Sequence, residues 1–244
     1  MLRVAIAFAR HSTEPPSVRL CGACAEILDV SGAGITLMTG INSGPVCSSN
    51  DRSGAIEDLQ FTLGQGPCRD AFAKGEPVSE SDLEGNRVNR WPQFTPQALE
   101  IGARGVFAFP LTVGTARVGV LTLYQDIAGP LSEDQKADSC VVAEVVAHTI
   151  LSSQAASELG ELPDELDNAG TYRAEVHQAA GMVAVQLGVD VTEGSVRVRA
   201  YAYAAGRTVA DVAADIVSRR LQLSNDENHN NDENHNNDDD RILE

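Results

Sequence analysis

Two long apolar segments joined by a short turn occupy residues 105–126, with the sequence GVFAFPLTVGTARVGVLTLYQD. Gly114 and Thr115 form the predicted turn, and the second segment, RVGVLTLY, is apolar on both faces at several positions. Such a strand is typical of the middle of a sheet, and two strands joined by a tight turn pair in an antiparallel manner. The segment therefore predicts a domain built on an antiparallel β-sheet.

Helices are predicted on either side of this pair of strands. The long helix over 131–154 has Ser132 as its N-cap and Gln135 three positions later, the arrangement of a capping box. An apolar stripe on this helix consists of Val141, Val145, His148 and Leu151. The remaining predicted elements are a helix over 18–30, strands over 32–38 and 44–50, helices over 53–63 and 68–75, a polar loop over 76–90 and a short helix over 91–103. This order predicts an α+β fold in which helices cover one antiparallel sheet.

Length and charge restrict the class of protein. A chain of 244 residues holds one or two domains, and 43% hydrophobic residues are enough for a core. The balance of 18 Lys+Arg against 35 Asp+Glu gives a net charge of −17, which is the opposite of what phosphate binding requires unless basic residues are clustered locally. No run of 18 apolar residues and no signal-peptide pattern is present, so we expect a cytoplasmic protein without a membrane partner.

The five cysteines are scattered and odd in number, which favours reduced thiols over a disulfide framework. Cys21 and Cys24 form a C-x-x-C pair, but they lie on the apolar face of the first predicted helix and are expected to be buried structural thiols. No second ligand pair completes a metal site, and 17–154 contains no catalytic motif. We therefore expect no metal and no enzyme.

Several motifs of the first part of the chain occur together. In order these are LGQGPCRDAFAKGEPV, RWPQF, FAFPLTVGTARVGVLTLY and GPLSEDQ. The combination resembles the GAF domain of bacterial GAF–ANTAR regulators over residues 17–155. The resemblance implies a GAF-type sheet flanked by helices that senses a small molecule or a redox signal and dimerises through its terminal helices. It does not identify the ligand, so the cofactor is unknown.

The acidic segment 156–171 is predicted to be a linker, and three short helices follow it within residues 172–223. Asp190 and Thr208 are the predicted N-caps, while Gly188 and Gly206 end the first two helices. Alanine at contact positions allows the helix backbones to approach closely. The pattern therefore predicts a small three-helix bundle.

The sequences HQAAGMVAVQLGVDVTEG, VRVRAYAYAAGRTVADVA and DIV of this bundle resemble the ANTAR domain of bacterial antitermination regulators. The resemblance implies binding of paired stem-loops in nascent RNA by a homodimer, which prevents the terminator from forming. The chain departs from the family at two positions. Ala180 stands where many members have lysine, which removes a candidate phosphate-binding charge. Gly194 replaces the usual alanine, at a cost of about 1 kcal/mol in helix propensity.

Charge within the bundle differs from that of the whole chain. Six arginines and five acids over 172–223 give +1. Arginine and tyrosine are suited to phosphate contacts and to stacking on unpaired bases, although the same tyrosines could fill the bundle and the arginines could merely be solvated. The residues predicted to bind RNA are His177, Gln178, Arg197, Arg199, Tyr201, Tyr203 and Arg207. So few phosphate contacts per protomer predict weak binding that depends on dimerisation.

The tail over 224–244 contains NDENHN twice and has a charge of −7, so it is predicted to be disordered. His229 and His235 in this tail are weak candidates for metal binding.

Two other functions remain open from the residues alone. Cys68, in GQGPC, is the candidate redox residue of a cysteine-dependent enzyme or redox sensor on the same fold. Alternatively, the bundle is a protein-interaction module that has lost RNA binding through Ala180.

Overall fold

A computed structural model describes residues 16–38, 44–85, 90–156 and 168–224. These residues form eight helices and five strands. The helices are α1 (Pro16–Leu28), α2 (Asp51–Leu63), α3 (Pro67–Lys74), α4 (Phe94–Ile101), α5 (Glu133–Ala156), α6 (Asn168–Leu187), α7 (Val191–Ala204) and α8 (Val209–Val217). The strands are β1 (Gly32–Leu37), β2 (Gly44–Ser48), β3 (Val78–Glu80), β4 (Gly105–Val113) and β5 (Ala116–Gln125).

The five strands form one antiparallel sheet in the order β2-β1-β5-β4-β3. Strand β5 is central, as its apolar character on both faces predicts, and it pairs with β1 and β4. Alternate residues of these strands enter two cores, because side chains alternate across a strand. Leu121 and Leu123 pack with α1 and α5, while Val120 and Tyr124 pack with the layer of α2, α3 and α4. The predicted α+β fold class is confirmed.

The segment predicted as a polar loop over 76–90 contains a strand. Residues Val78–Glu80 pair with β4, with Val78 opposite Ala108. A strand of three residues at the sheet edge carries too little alternation to be recognised in the sequence. The prediction of a loop throughout this segment was therefore wrong.

Helix α5 has the predicted capping box but turns a different face to the core. The Ser132 amide donates to Gln135 Oε1 at 2.9 Å, and the Gln135 amide donates to Ser132 Oγ at 3.1 Å. Val141 and Val145 of the predicted stripe are 60% and 53% exposed. The buried face is formed by Ala143, Val146, Ala147 and Ile150 instead. Apolar residues therefore occur on both faces of this helix, and the valines alone do not show which face is buried.

A disulfide joins Cys21 to Cys47, which corrects the prediction that all five cysteines are reduced thiols. The two residues are 26 positions apart, and packing of α1 against β2 brings their Cα atoms to 6.1 Å. Cys24 is buried, as predicted, and burial raises the pKa of its thiol to about 12. Cys68 is a buried free thiol and Cys140 an exposed one.

Helices α6, α7 and α8 form the predicted three-helix bundle. The caps are as predicted: Asp190 accepts from the Glu193 amide and Thr208 accepts from the Asp211 amide. The core is made of small and β-branched residues, namely Val176, Ala179, Val183, Val198, Ala202, Val209, Val212, Ala213 and Ile216. Helix α6 begins at Asn168, inside the predicted linker, and α8 ends at Val217, six residues before the predicted end of the bundle.

The bundle packs on the sheet domain rather than standing apart from it. Helix α7 contacts α2, and α6 contacts β2. Phe61 of α2 packs against the core of the bundle. Among the described helices, none is long and apolar enough to span a bilayer. The predicted disordered tail from residue 225 onward, with its two histidines, lies outside the described residues.

Candidate nucleic-acid interface

The predicted RNA-binding residues of α7 lie on two different faces of the helix. At 3.6 residues per turn, Arg197 and Arg199 are about 160° apart around the axis. Tyr201 is one turn beyond Arg197, and Tyr203 is one turn beyond Arg199. The stripe that faces the bundle core, Gly194, Val198 and Ala202, separates the two pairs. The four side chains therefore do not form one continuous surface on α7.

An exposed cluster of two arginines and a tyrosine lies at the end of the bundle. Arg207 Nη2 is 2.6 Å from Asp215 Oδ2, and Arg220 Nη2 is 2.8 Å from Asp215 Oδ1. Hydrogen bonds from Arg207 and then Arg220 lower the pKa of Asp215, so this carboxylate stays ionised and holds both guanidinium groups. Tyr201 is exposed on the last turn of α7, six residues before Arg207. We call this group, Tyr201, Arg207, Asp215 and Arg220, the arginine cluster.

Sequence reasoning did not select Arg220. Helix α8 ends at Val217, and Arg219 adopts a positive φ of 60°, so the chain turns back toward the helix. The Arg220 amide then donates to the Asp215 carbonyl at 2.8 Å, which places the Arg220 side chain beside Arg207. The adjacent Arg219-Arg220 pair is the only signal in the sequence, and it does not reveal this turn.

Arg197 belongs to the solvent-facing side of α7. Its Nε donates to Glu193 Oε1 at 2.9 Å, so the two residues form an ion pair across one turn of the helix. Surface pairs of this kind contribute at most about 1 kcal/mol, so Arg197 can exchange Glu193 for another anion. Arg197 lies one turn before Tyr201 on the same side of α7, so it extends the arginine cluster along this helix.

Arg199 and Tyr203 face the sheet domain. The Arg199 guanidinium lies over the Phe61 ring of α2, 5.8 Å from its centroid, and Nε donates to the Ser195 carbonyl at 3.3 Å. Burial, and secondly the charge of Arg69, lowers the pKa of Arg199. Two clefts flank this contact, with volumes of about 330 and 560 Å³. Docking of the bundle on α2 thus covers part of the predicted RNA-binding surface.

The two predicted residues of α6 are placed differently from those of α7. His177 is half-buried, while Gln178 is exposed. Gln178 lies about 140° around the helix from Val183, which belongs to the bundle core. Gln178 is therefore accessible to a partner, and the His177 side chain is partly enclosed.

Positions 180 and 194 both lie in the contact between α6 and α7. Ala180 is fully buried. A Cβ on Gly194 would lie less than 3.0 Å from the Ala180 carbonyl oxygen and 3.2 Å from the Ala184 amide nitrogen. Gly194 is therefore required for the close approach of α6 and α7, and position 180 faces that contact rather than solvent. The absence of lysine at position 180 removes no charge from the surface of this bundle.

A buried polar cluster lies between α2 and the sheet. Glu57 is 1% exposed, accepts a hydrogen bond from Thr36 Oγ1, and is 3.4 Å from Gln60 Nε2. Gln60 Oε1 in turn accepts from the Cys68 amide at 2.8 Å. Burial raises the pKa of Glu57 to about 7, against the opposing effect of the Thr36 hydrogen bond. Glu57 was not recognised in the sequence, where it is one of several acids in α2.

Cys68 lies in the same interior. Its side chain is 1% exposed, and burial, followed by the charge of Glu57, raises the pKa of its thiol well above the usual value. Nucleophilic cysteines are thiolates in accessible, electropositive surroundings. The surroundings of Cys68 are therefore the opposite of those that a reactive cysteine requires.

No family model matches the sequence, and no curated protein matches it significantly. Solved structures are similar to part of the chain. The GAF domain of a phosphoenolpyruvate-protein phosphotransferase from Coxiella burnetii is 15% identical, with a TM-score of 0.47 over 63% of this chain and 94% of that one. The corresponding Acinetobacter domain is 14% identical, with a TM-score of 0.46 over 63% and 94%.

A third similar structure is a free methionine-R-sulfoxide reductase from Neisseria meningitidis, which is 15% identical with a TM-score of 0.42. It matches 63% of this chain and 89% of its own. All three TM-scores are below 0.5, and all three identities are below 25%. Similarity at this level does not identify a ligand or an activity.

Proposed function

We propose that this chain is an RNA-binding regulator of transcription antitermination. Its α+β domain is a GAF-type sensor of a small-molecule or redox signal, and its three-helix bundle is an ANTAR-type domain that binds paired RNA hairpins. The sequence resemblances described above support both assignments. The protein acts in the cytoplasm, where nascent transcripts are made, and it is a regulator rather than an enzyme.

The arginine cluster is the observation that carries this proposal. Two guanidinium groups and one phenol ring are exposed together at one end of the bundle, and Asp215 fixes the two arginines relative to each other. Guanidinium groups bind phosphate oxygens in a forked manner, and aromatic rings stack on unpaired loop bases. A hairpin loop offers both of these groups within a short distance.

Dimerisation completes the proposal. The described part of one bundle exposes four arginines, namely Arg197, Arg207, Arg219 and Arg220. Three of them are paired with carboxylates of the bundle, so one copy offers too few phosphate contacts for tight binding. Two copies that engage two hairpins of one transcript gain affinity through the high effective concentration of the second binding event. The expected partner is therefore a second copy of this chain.

A salt-titrated mobility shift with a two-hairpin leader RNA tests the proposal. We expect binding that weakens with salt, and we expect Arg207→Gln to weaken it about 10-fold or more and to lower the salt slope by about one. Lys136→Gln, which removes an exposed charge on α5, is the matched control and is expected to bind like the wild type. Equal RNA binding by Arg207→Gln, or no binding of any leader hairpin by a dimeric sample, would contradict the proposal.

A further inference from the structure

The smaller of the two interdomain clefts is lined by two arginines together with polar and apolar side chains. It has a volume of about 330 Å³, at the lower end of the roughly 300–1,000 Å³ of small-molecule sites. Arg69 of α3 and Arg199 of α7 both line it, together with Tyr203, Gln93 and Thr62. No acidic residue is among its lining residues. The cleft is therefore positively charged, in a chain whose net charge is −17.

Within the described part of the chain, neither of these arginines forms an ion pair. Arg199 stacks on Phe61 and donates to a backbone carbonyl, and Arg69 Nη1 is 4.0 Å from Met38 Sδ. Among the other described arginines, five pair with a carboxylate, namely Arg90, Arg104, Arg197, Arg207 and Arg220, whereas Arg52, Arg117 and Arg219 form no ion pair with a described residue. The two cleft arginines also repel each other, since the charge of Arg69 lowers the pKa of Arg199. Two like charges that share a partly desolvated cleft are unfavourable until an anion lies between them.

We propose that this cleft binds a small phosphate-bearing anion between Arg69 and Arg199, and that the bound anion holds the bundle docked on the sheet domain. A phosphate group presents three acceptor oxygens to the two guanidinium forks and carries more negative charge than a carboxylate. The Tyr203 ring offers a flat surface for the organic part of the ligand. The anion contacts one arginine from each domain, so it binds the docked arrangement and stabilises it by mass action.

The regulatory consequence rests on the proposed RNA function. With the anion in place, Arg199 remains against α2 and is withheld from RNA. Loss of the anion restores the repulsion between the two arginines and favours release of the bundle. The anion is thus the signal that lowers RNA affinity.

Isothermal titration calorimetry of the full chain at low ionic strength tests the site, with AMP, inorganic phosphate and adenosine as probes. We expect AMP and phosphate to bind and adenosine not to bind. Arg69→Gln and Arg199→Gln are each expected to weaken AMP binding at least about 10-fold, because each removes charge-assisted hydrogen bonds. Arg69→Lys keeps the charge and is expected to retain part of the affinity, and Lys136→Gln is the unaffected control.

Three results would overturn the site: no binding of AMP or phosphate, adenosine binding as tightly as AMP, or wild-type affinity in both glutamine variants. The regulatory part is tested by adding AMP to the RNA mobility shift. AMP is expected to weaken RNA binding by the wild type and to have no effect on Arg69→Gln, whose change lies outside the bundle. An unchanged shift in the wild type overturns the regulatory part. Failure of the chain to bind RNA at all refutes the proposed function and leaves the calorimetric result standing.

Discussion

Glu57 is a carboxyl group enclosed between α2 and the sheet, and its hydrogen bonds do not fully replace water. The Glu57 side chain occupies space that Gly34 of β1 leaves free, since a Cβ on Gly34 would overlap Glu57 Cγ. Burial raises the pKa of Glu57 from 4.5 to about 7 in the folded protein. The charged form is therefore unfavourable in this interior, and the neutral form is well accommodated.

This pKa predicts the direction in which stability changes with pH. Between pH 4.5 and about 7 the folded state keeps a proton on Glu57 that the unfolded state has lost, so the free energy of unfolding falls as the pH rises through that range. Glu57→Gln removes the charge and keeps the shape. We expect this variant to be more stable than the wild type at pH 8.5, by on the order of 1–3 kcal/mol, and nearly equal to it at pH 4.5.

Urea denaturation at the two pH values measures this difference. Other titrating groups contribute equally to both proteins and cancel in the comparison. Glu76→Gln, the same substitution at an exposed position, is the control. A Glu57→Gln variant that is destabilised equally at both pH values would show that the carboxylate is structurally required and that its burial carries no pH dependence.

At the scale of elements, the contact between α6 and α7 depends on glycine at position 194. The usual expectation is that replacing a helical glycine with alanine stabilises a helix by up to about 1 kcal/mol. At Gly194 the added methyl group would collide with backbone atoms of Ala180 and Ala184, which cannot move aside as a flexible side chain would. We expect Gly194→Ala to destabilise the bundle by about 1–3 kcal/mol despite its better propensity.

Gly181 of α6 provides a matched comparison, because no atom lies within 4 Å of a Cβ placed there. We expect Gly181→Ala to leave stability unchanged or to raise it by up to about 1 kcal/mol. Thermal unfolding followed by circular dichroism measures both variants. If the two substitutions shift the midpoint in the same direction, the packing explanation for Gly194 is wrong.

Local signals in the sequence were sufficient for most of the elements. Ser132, Asp190 and Thr208 cap helices through contacts within three residues, and Gly114 makes a turn within its own hairpin. Strand β3 could not be predicted, because its evidence is backbone pairing with Ala108 rather than an apolar pattern. The Cys21–Cys47 disulfide likewise depends on how α1 packs on β2, which the spacing of the cysteines does not reveal.

The composition of the candidate interface was predictable, and its division into two faces was not. Arginine and tyrosine on α7 are visible in the sequence, as is the helical period that separates Arg197 from Arg199. The docking position of α7 on α2 determines whether Arg197 or Arg199 points to solvent. That contact joins residues more than 130 positions apart, so the sequence does not reveal it. Arg220 pairs with Asp215 because the chain turns back after α8. This turn has Arg219, not glycine, at its positive φ, so the sequence does not indicate it.

At the scale of the whole molecule, the proposed function predicts that the contact between α2 and α7 determines how much of the bundle an RNA can reach. Phe61 joins the bundle core and stacks under Arg199, so it is the main side chain of α2 in this contact. Phe61→Ala removes both the apolar contact and the cation–π interaction. We expect undocking to become easier and the affinity for a two-hairpin RNA to rise about 3- to 10-fold, because Arg199 then becomes available without the prior cost of separating the domains.

Phe72 supplies the matched control for this last prediction, because Arg117 lies 5.6 Å from the Phe72 ring centroid in a similar arginine–aromatic pair that involves only the sheet domain. Phe72→Ala is expected to lower stability without changing RNA affinity. Hydrogen exchange of the α7 amides provides a second measurement, in which only Phe61→Ala increases exchange. If Phe61→Ala binds RNA no better than Phe72→Ala while its α7 amides exchange faster, then docking does not limit RNA access, and the face that carries Arg199 and Tyr203 serves only to join the two domains.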